Sequence, residues 1–211
     1  MSIALDKITF LPFGYLMDRF RWSVFRGEND YQRLWDEYRL KYQVKRNKPR
    51  VFFNNVNFKG VMPPSERSDA NGHFDACGKF HIPNNTPYIR YFVSFILQFQ
   101  FYEHMCISAG QYDPTDPESE LYKCDFYRSL EAGEELMQLL EKGQSQPWQD
   151  TLTEMIGSGK MNADSLIHYF QPIITWLEND QKENGWVSGW DLDSTWQPEG
   201  FDEPAYDGRC T

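Results

Sequence analysis

Along much of the chain, apolar positions recur every three or four residues, the spacing of one face of an α-helix. Between Tyr88 and Ala109, residues Phe92, Phe95, Ile96, Phe99 and Cys106 keep that spacing, and Gly110 ends it. From Ser129 to Lys142 the stripe is Leu136, Leu139 and Leu140, with Gly143 as the stop. From Asn162 to Asn179, Leu166, Ile167, Phe170, Ile173, Ile174 and Leu177 line one face. Pro172 lies inside this pattern and predicts a kink, because proline has no backbone N–H and its ring crowds the preceding turn. A shorter helix is expected over Pro147 to Ile156, with proline in its first turn. Helical stretches flank Pro12 between Ile3 and Phe25, and Arg33 to Gln43 reads as helix too.

The remainder lacks such periodicity. Val44 to Ala76 carries clusters of Gly, Pro, Asn and Ser and reads as a long loop, with a short strand near Val51 to Phe53. Residues 186–211 read as an irregular tail. No internal repeat stands out, so the expected class is all-α, in one partial domain over 1–211. The first helical face begins at residue 3, with only Ser2 ahead of it. A chain that enters a helix so abruptly looks cut from a longer polypeptide.

Composition narrows the partners. The 211 residues suffice for a buried core, and aromatics reach 17%. A formal net charge of −10 disfavours nucleic acid, whose phosphates call for a basic surface. The basic cluster of Lys45, Arg46, Lys48 and Arg50 reads as a solvated loop. The most apolar stretch, Phe92 to Phe101, is broken by Ser94, Gln98 and Gln100, whereas a spanning helix needs about 20 apolar residues. No membrane segment is expected. The first residues have no signal-peptide pattern, which taken literally indicates the cytoplasm.

The cysteines point elsewhere. Cys106 and Cys124 bracket a polar, proline-containing loop, which suits a disulfide and an oxidising compartment. Four unpaired thiols remain the alternative, with Cys77 and Cys210 left over in either case. Asn84-Asn85-Thr86 is a glycosylation sequon, weakened by Pro87 behind it.

Catalytic motifs are scarce. None of His73, His81, His104 and His168 belongs to an H-E-x-x-H pair, and no phosphate loop or G-x-S-x-G elbow occurs. The densest set of potential anion donors runs from Lys79 to Tyr91, with Lys79, His81, Tyr88, Arg90 and Tyr91 in a proline-bounded loop that leads into a helix. That chemistry suits a carboxylate or an oxyanion. A surface loop of long polar side chains would read the same way.

A resemblance decides between them. Gly78-Lys79-Phe80-His81-Ile82-Pro83 and Pro87-Tyr88-Ile89-Arg90-Tyr91-Phe92 closely resemble the angiotensin-converting enzymes, a family of zinc peptidyl-dipeptidases. Ala4-Leu5-Asp6-Lys7-Ile8, Arg39-Leu40-Lys41-Tyr42-Gln43, Lys123-Cys124-Asp125, Glu131-Ala132-Gly133, Pro147-Trp148 and Gly189-Trp190 follow in the family's order. The stretch between Cys106 and Cys124 looks like the longer loop of invertebrate members, which favours the bridge. The fold implied is the C-terminal portion of a two-lobed, mostly helical zinc metallopeptidase domain with a central cleft.

The resemblance also implies roles. Lys79 and Tyr88 would grip the C-terminal carboxylate of an oligopeptide, His81 would hydrogen-bond its backbone, and the Tyr91 hydroxyl would stabilise the oxyanion. Arg90 would bind one chloride, and Trp35 with Arg39 would form part of a second chloride site. Asp6, Lys7, Phe10, Phe13 and Phe95 would line the pocket for the last substrate residue; for the phenylalanines, ordinary core is the competing reading.

The departures matter as much. In the family the zinc-binding H-E-x-x-H helix and the third ligand, a glutamate, precede the segment matching Ala4, so no metal ligand is expected on this chain. Asp36 stands where relatives often carry a second Trp, and Val44 to Ala76 is longer than usual. Two readings follow: the C-terminal part of a secreted or membrane-anchored peptidase, inactive without the missing N-terminal part of its domain, or a truncated non-catalytic paralogue that binds peptides.

Overall fold

The computed structural model describes residues 2–43 and 75–185 of the 211. The expected strand at Val51 to Phe53, most of the loop over 44–76 and the tail over 186–211 lie outside the described residues. Within them the chain forms six α-helices, two short 3-10 turns and no strand. The helices are α1 (Ser2–Phe25), α2 (Tyr31–Gln43), α3 (Ile89–Ser108), α4 (Leu130–Lys142), α5 (Trp148–Ile156) and α6 (Asp164–Asn184). The all-α expectation holds. No described helix is long and apolar enough to cross a membrane.

α1 organises the molecule, because it is apolar on more than one side. Its N-terminal half contributes Ala4 and Leu11 to a core shared with Ile96 and Phe99 of α3 and Leu166, Phe170 and Ile174 of α6. Its C-terminal half contributes Leu16, Met17 and Phe20 to a second core, closed by Leu34, Trp35 and Tyr38 of α2 and by Ala76 and Tyr88. A helix clothed in apolar residues on several sides belongs in the interior, and α1 packs against both α2 and α3. It runs unbroken through Pro12, which forfeits only the bond its missing N–H would have made to the Ile8 carbonyl.

The helix ends follow local chemistry. Ser129 caps α4: its Oγ accepts from the Ala132 N–H at 3.2 Å and donates to Glu131 at 3.1 Å. Gly157 ends α5 and Gly185 ends α6, both left-handed, at φ of 75° and 65°. α6 runs to Asn184 rather than Asn179, because residues 180–184 lack an apolar pattern but contain no helix breaker before Gly185. It continues through Pro172 as one helix.

Ala132 is the one fully buried residue of α4. Of its leucine stripe, Leu139 is partly buried, while Leu136 and Leu140 are 37% and 61% exposed; Leu130 and Met137 beside them are 77% and 56% exposed. α4 meets α3 through Leu139, which lines a cavity with Leu97 and Phe101, and through polar bonds, with Glu135 receiving the Ser108 hydroxyl at 2.8 Å and facing His104 Nε2 at 3.2 Å.

A third small core forms around the Cys106–Cys124 disulfide, with Leu121 buried beside it and Tyr102, Tyr112, Phe126 and Tyr169 packed around. The Tyr102 hydroxyl donates to the Cys124 carbonyl at 2.7 Å. Cys77 is exposed and has no disulfide partner among the described residues. The bridge joins residues 18 apart, so removing it restores to the unfolded chain the entropy of a loop of that size, about 3 kcal/mol. The paired Cys106→Ala, Cys124→Ala variant is expected to lose about that much stability in urea unfolding, and to become insensitive to reducing agent.

Candidate functional site

The segment joining the Asp75–Gly78 turn to α3 is folded on itself. Asn84 N–H donates to the Phe80 carbonyl at 3.0 Å, Asn85 N–H to Ile82 at 3.1 Å and Thr86 N–H to His81 at 2.9 Å. Asn85 sits at φ 51°, a left-handed conformation that asparagine tolerates better than most residues. These bonds turn the chain so that Lys79, His81 and Tyr88 meet.

Tyr88 is the centre of the assembly and is 5% exposed. The His81 ring stands edge-on to it at 4.7 Å and the Tyr91 ring lies at 4.9 Å. His81 and Tyr91 are themselves 5.9 Å apart. From α1, Phe10 and Phe13 reach the same ring at 5.8 and 6.0 Å, and Phe10 also packs on Phe95 of α3 at 4.7 Å. Gly14 makes room for this: a Cβ there would come within 2.9 Å of the Phe10 ring. The six rings form one continuous surface across three segments of the chain.

Cations line that surface. Lys79 Nζ lies 5.0 Å from the centre of the Tyr88 ring and 5.7 Å from that of Phe13, with no acidic partner among the described residues. Lys7 Nζ lies 4.1 Å over Phe95 and 3.4 Å from the Asp6 carboxylate. Arg90 is exposed and its guanidinium sits 5.3 Å over the Tyr91 ring. Chemically, this is a positively charged, aromatic-walled surface with hydroxyls to donate, suited to an anionic group on an apolar body.

The structure therefore brings together Lys79, His81, Tyr88, Tyr91, Phe10, Phe13, Phe95 and Lys7, with Asp6 and Arg90 at the edges. Trp35 and Arg39 stand one turn apart on α2, where Trp35 packs edge-on against Phe20 at 5.5 Å in the core that also holds Tyr88. Trp35 Nε1 and Arg39 Nε are buried donors without a hydrogen-bond partner among the described residues. Unpaired buried donors are uncommon, and N–H donors are chemically suited to a small anion such as the chloride that the resemblance implies. For zinc there is no fit. Among the described residues no group of three or more His, Cys, Asp or Glu side chains is gathered as a metal ion would require.

Three residues that the sequence pattern did not single out hold the arrangement. The buried Asp18 carboxylate accepts from the backbone N–H groups of Tyr88 at 2.7 Å and Ile89 at 2.5 Å, and from Arg21 Nη1 at 2.5 Å. Arg21 Nη2 goes on to the Asn85 side-chain oxygen at 2.7 Å. The available signal was Asp18's place seven residues beyond Leu11, on a helix face otherwise apolar.

A family model described as angiotensin-converting enzyme matches residues 1–190, a stretch that contains every residue of this assembly. The chain belongs to the angiotensin-converting enzyme family. It is 45% identical over 201 residues to angiotensin-converting enzyme of Mesocricetus auratus, an alignment covering 94% of this chain and 13% of that protein. With the enzyme of Theromyzon tessulatum, identity is 43% over 190 residues, 90% of this chain and 27% of the relative. An angiotensin-converting enzyme-like protein of Mus musculus is 40% identical, over 90% of this chain and 23% of its own length. The chain thus spans only about an eighth to a quarter of the family members it matches.

The environment of His81 disfavours its charged form. Burial comes first: Nδ1 is enclosed without a partner, so an imidazolium would be poorly solvated, and the Lys79 and Arg90 charges add repulsion. Its pKa is lowered from the usual value of about 6.5. The unfolded chain therefore takes up this proton more readily than the folded one. The associated stability is present above about pH 6.5 and is lost as pH falls through the folded value. NMR titration of His81 is expected to show a midpoint below that of a model peptide. Lys79→Ala should move it part of the way back, since burial is the larger cause.

Proposed function

We propose that this chain is the peptide-holding C-terminal part of an angiotensin-converting-enzyme-like peptidyl-dipeptidase, which releases dipeptides from the C-terminus of oligopeptides. The observation that carries the reading is the convergence of Lys79, His81, Tyr88 and Tyr91 on one surface walled by Phe10, Phe13 and Phe95.

In this reading the Lys79 ammonium and the Tyr88 hydroxyl take the terminal carboxylate. Lys79 is suited to that because it is held against aromatic rings rather than neutralised by an acid. His81, kept neutral, bonds the peptide backbone, and the Tyr91 hydroxyl donates to the oxyanion that forms when the scissile carbonyl is attacked. Asp6, Lys7, Phe10, Phe13 and Phe95 enclose the last side chain. Arg90, and separately Trp35 with Arg39, hold chloride ions. The zinc-activated water and its base come from polypeptide outside these residues, as does the cover for the outward face of α4. The disulfide and the exposed Asn84 of the sequon suit a protein that passes through an oxidising, secretory compartment.

A second reading, a non-catalytic peptide-binding protein, draws support from one observation. Lys79, His81, Tyr88 and Tyr91 come together while, among the described residues, no ligand set for a metal is gathered.

The test is binding of a C-terminally free dipeptide against its C-terminal amide, followed by NMR on the 211-residue chain. The free carboxylate should bind at least about tenfold tighter, the scale of one charge-assisted contact. Lys79→Ala and Tyr88→Phe should each reduce that preference. Equal binding of acid and amide would sink the carboxylate assignment. With zinc added, these residues alone should release no dipeptide from a C-terminally free tripeptide, and turnover with stoichiometric zinc would overturn the proposed division of labour.

A further inference from the structure

Arg21 is an unusual arginine. It is 7% exposed, its Nη1 is committed to Asp18 and its Nη2 to Asn85, while its Nε is buried without any partner. An arginine placed to satisfy itself would not leave a donor orphaned. The observed geometry is the one that ties two other groups together. One is the Asp18 carboxylate, already bonded to the first two N–H groups of the α3 start; the other is Asn85, at the crest of the turn that carries Lys79 and His81.

A buried ion pair is a poor source of net stability compared with well-packed apolar side chains of similar size. An apolar residue at position 18, however, would leave the Tyr88 and Ile89 N–H groups without acceptors, because the first N–H groups of a helix have no partner within it. A carboxylate there also complements the positive end of α3. The device fixes where α3 begins, hence the direction in which Tyr88, and Tyr91 one turn later, project.

We propose that Asp18, Arg21 and Asn85 are positioning residues for the carboxylate-binding surface: Asp18 sets Tyr88 and Tyr91 through the backbone, and Arg21 passes the same constraint to the Lys79–His81 turn. This rests on the reading of that surface as a carboxylate site. None of the three need touch the ligand. Their effect is on the angle and spacing of groups that do.

The experiment uses the full 211-residue chain, with the C-terminally free dipeptide as probe, and measures amide hydrogen exchange, the ring resonances of Tyr88 and Tyr91, and binding. In Asp18→Asn, the Tyr88 and Ile89 amides should exchange at least about tenfold faster, both ring signals should shift, and dipeptide affinity should fall at least about tenfold, the scale of losing a charge-assisted bond. Amides in α6 should be unchanged. Asn85→Gly tests the second arm without risk to folding, since glycine accepts the left-handed conformation. It should move the Lys79 and His81 signals and weaken binding about threefold, a fraction of one hydrogen bond, while Tyr88 and Ile89 stay protected. Unchanged ring signals and affinity in both variants would overturn the proposal. Should Asp18→Asn fail to fold, Asn85→Gly decides by the same signals. Should the native chain bind no dipeptide at all, the carboxylate reading fails. The positioning device is then judged on the ring signals: faster amides with unmoved rings would overturn it, and faster amides with shifted rings would uphold it.

Discussion

A single buried carboxylate ties the start of α3 to α1. α1 supplies both cores, but apolar packing is non-directional and would tolerate α3 starting a residue earlier or later. Asp18 removes that freedom by taking the N–H groups of Tyr88 and Ile89 at 2.7 and 2.5 Å. Hydrogen bonds have direction and a short range of distances, so a shift of one residue would leave these donors stranded in the interior. The register of α3 against α1 is therefore a polar decision made inside an apolar contact.

What that register positions is electrostatic. Lys79 and Arg90 are each held over an aromatic ring, whose face attracts a cation without cancelling its charge, while Lys7 lies over Phe95 and also beside the Asp6 carboxylate. A salt bridge to Lys79 or Arg90 would have stabilised either cation as well, but would have left less field for a ligand. His81 responds to its own burial and, to a lesser degree, to the same field, both of which favour its neutral form. The surface therefore combines fixed positive charge with a neutral donor–acceptor ring and two phenolic hydroxyls. That is a suitable mixture for a peptide terminus, which presents a carboxylate beside amide groups.

The helices were legible because their apolar period and glycine stops are local properties, as in α3 and at Gly143. The end of α6 was not, since residues 180–184 carry no apolar signal and only the absence of a breaker extends the helix. The stripe on α4 was read as apolar, but its exposure was not legible, because periodicity tells which residues share a face and not what that face meets. For the site, the Lys79–Tyr91 string was visible as a cluster of donors, and the resemblance supplied their roles. Asp18, Arg21 and Asn85 were invisible. Two of them are 64 and 71 residues from partners that only the fold brings near, and charge pattern along one helix cannot show such a link.

Two features remain unmatched within these residues, and they share a physical explanation. Leu130, Met137 and Leu140 leave most of their apolar surface in water, where burying each would be worth about 1.5 to 3 kcal/mol. Trp35 Nε1 and Arg39 Nε are among the buried donors that have no acceptor in the described residues, each a cost of about 1 to 3 kcal/mol. The first is apolar surface and the second is unspent hydrogen-bonding capacity. In relatives of which this sequence matches only an eighth to a quarter, further polypeptide is available to meet both kinds of group. The aromatic and cationic surface around Tyr88 depends on neither, because its rings, cations and Asp18 tether come from α1, α3 and the turn that leads into α3. Its geometry is thus set by contacts made within this part of the domain.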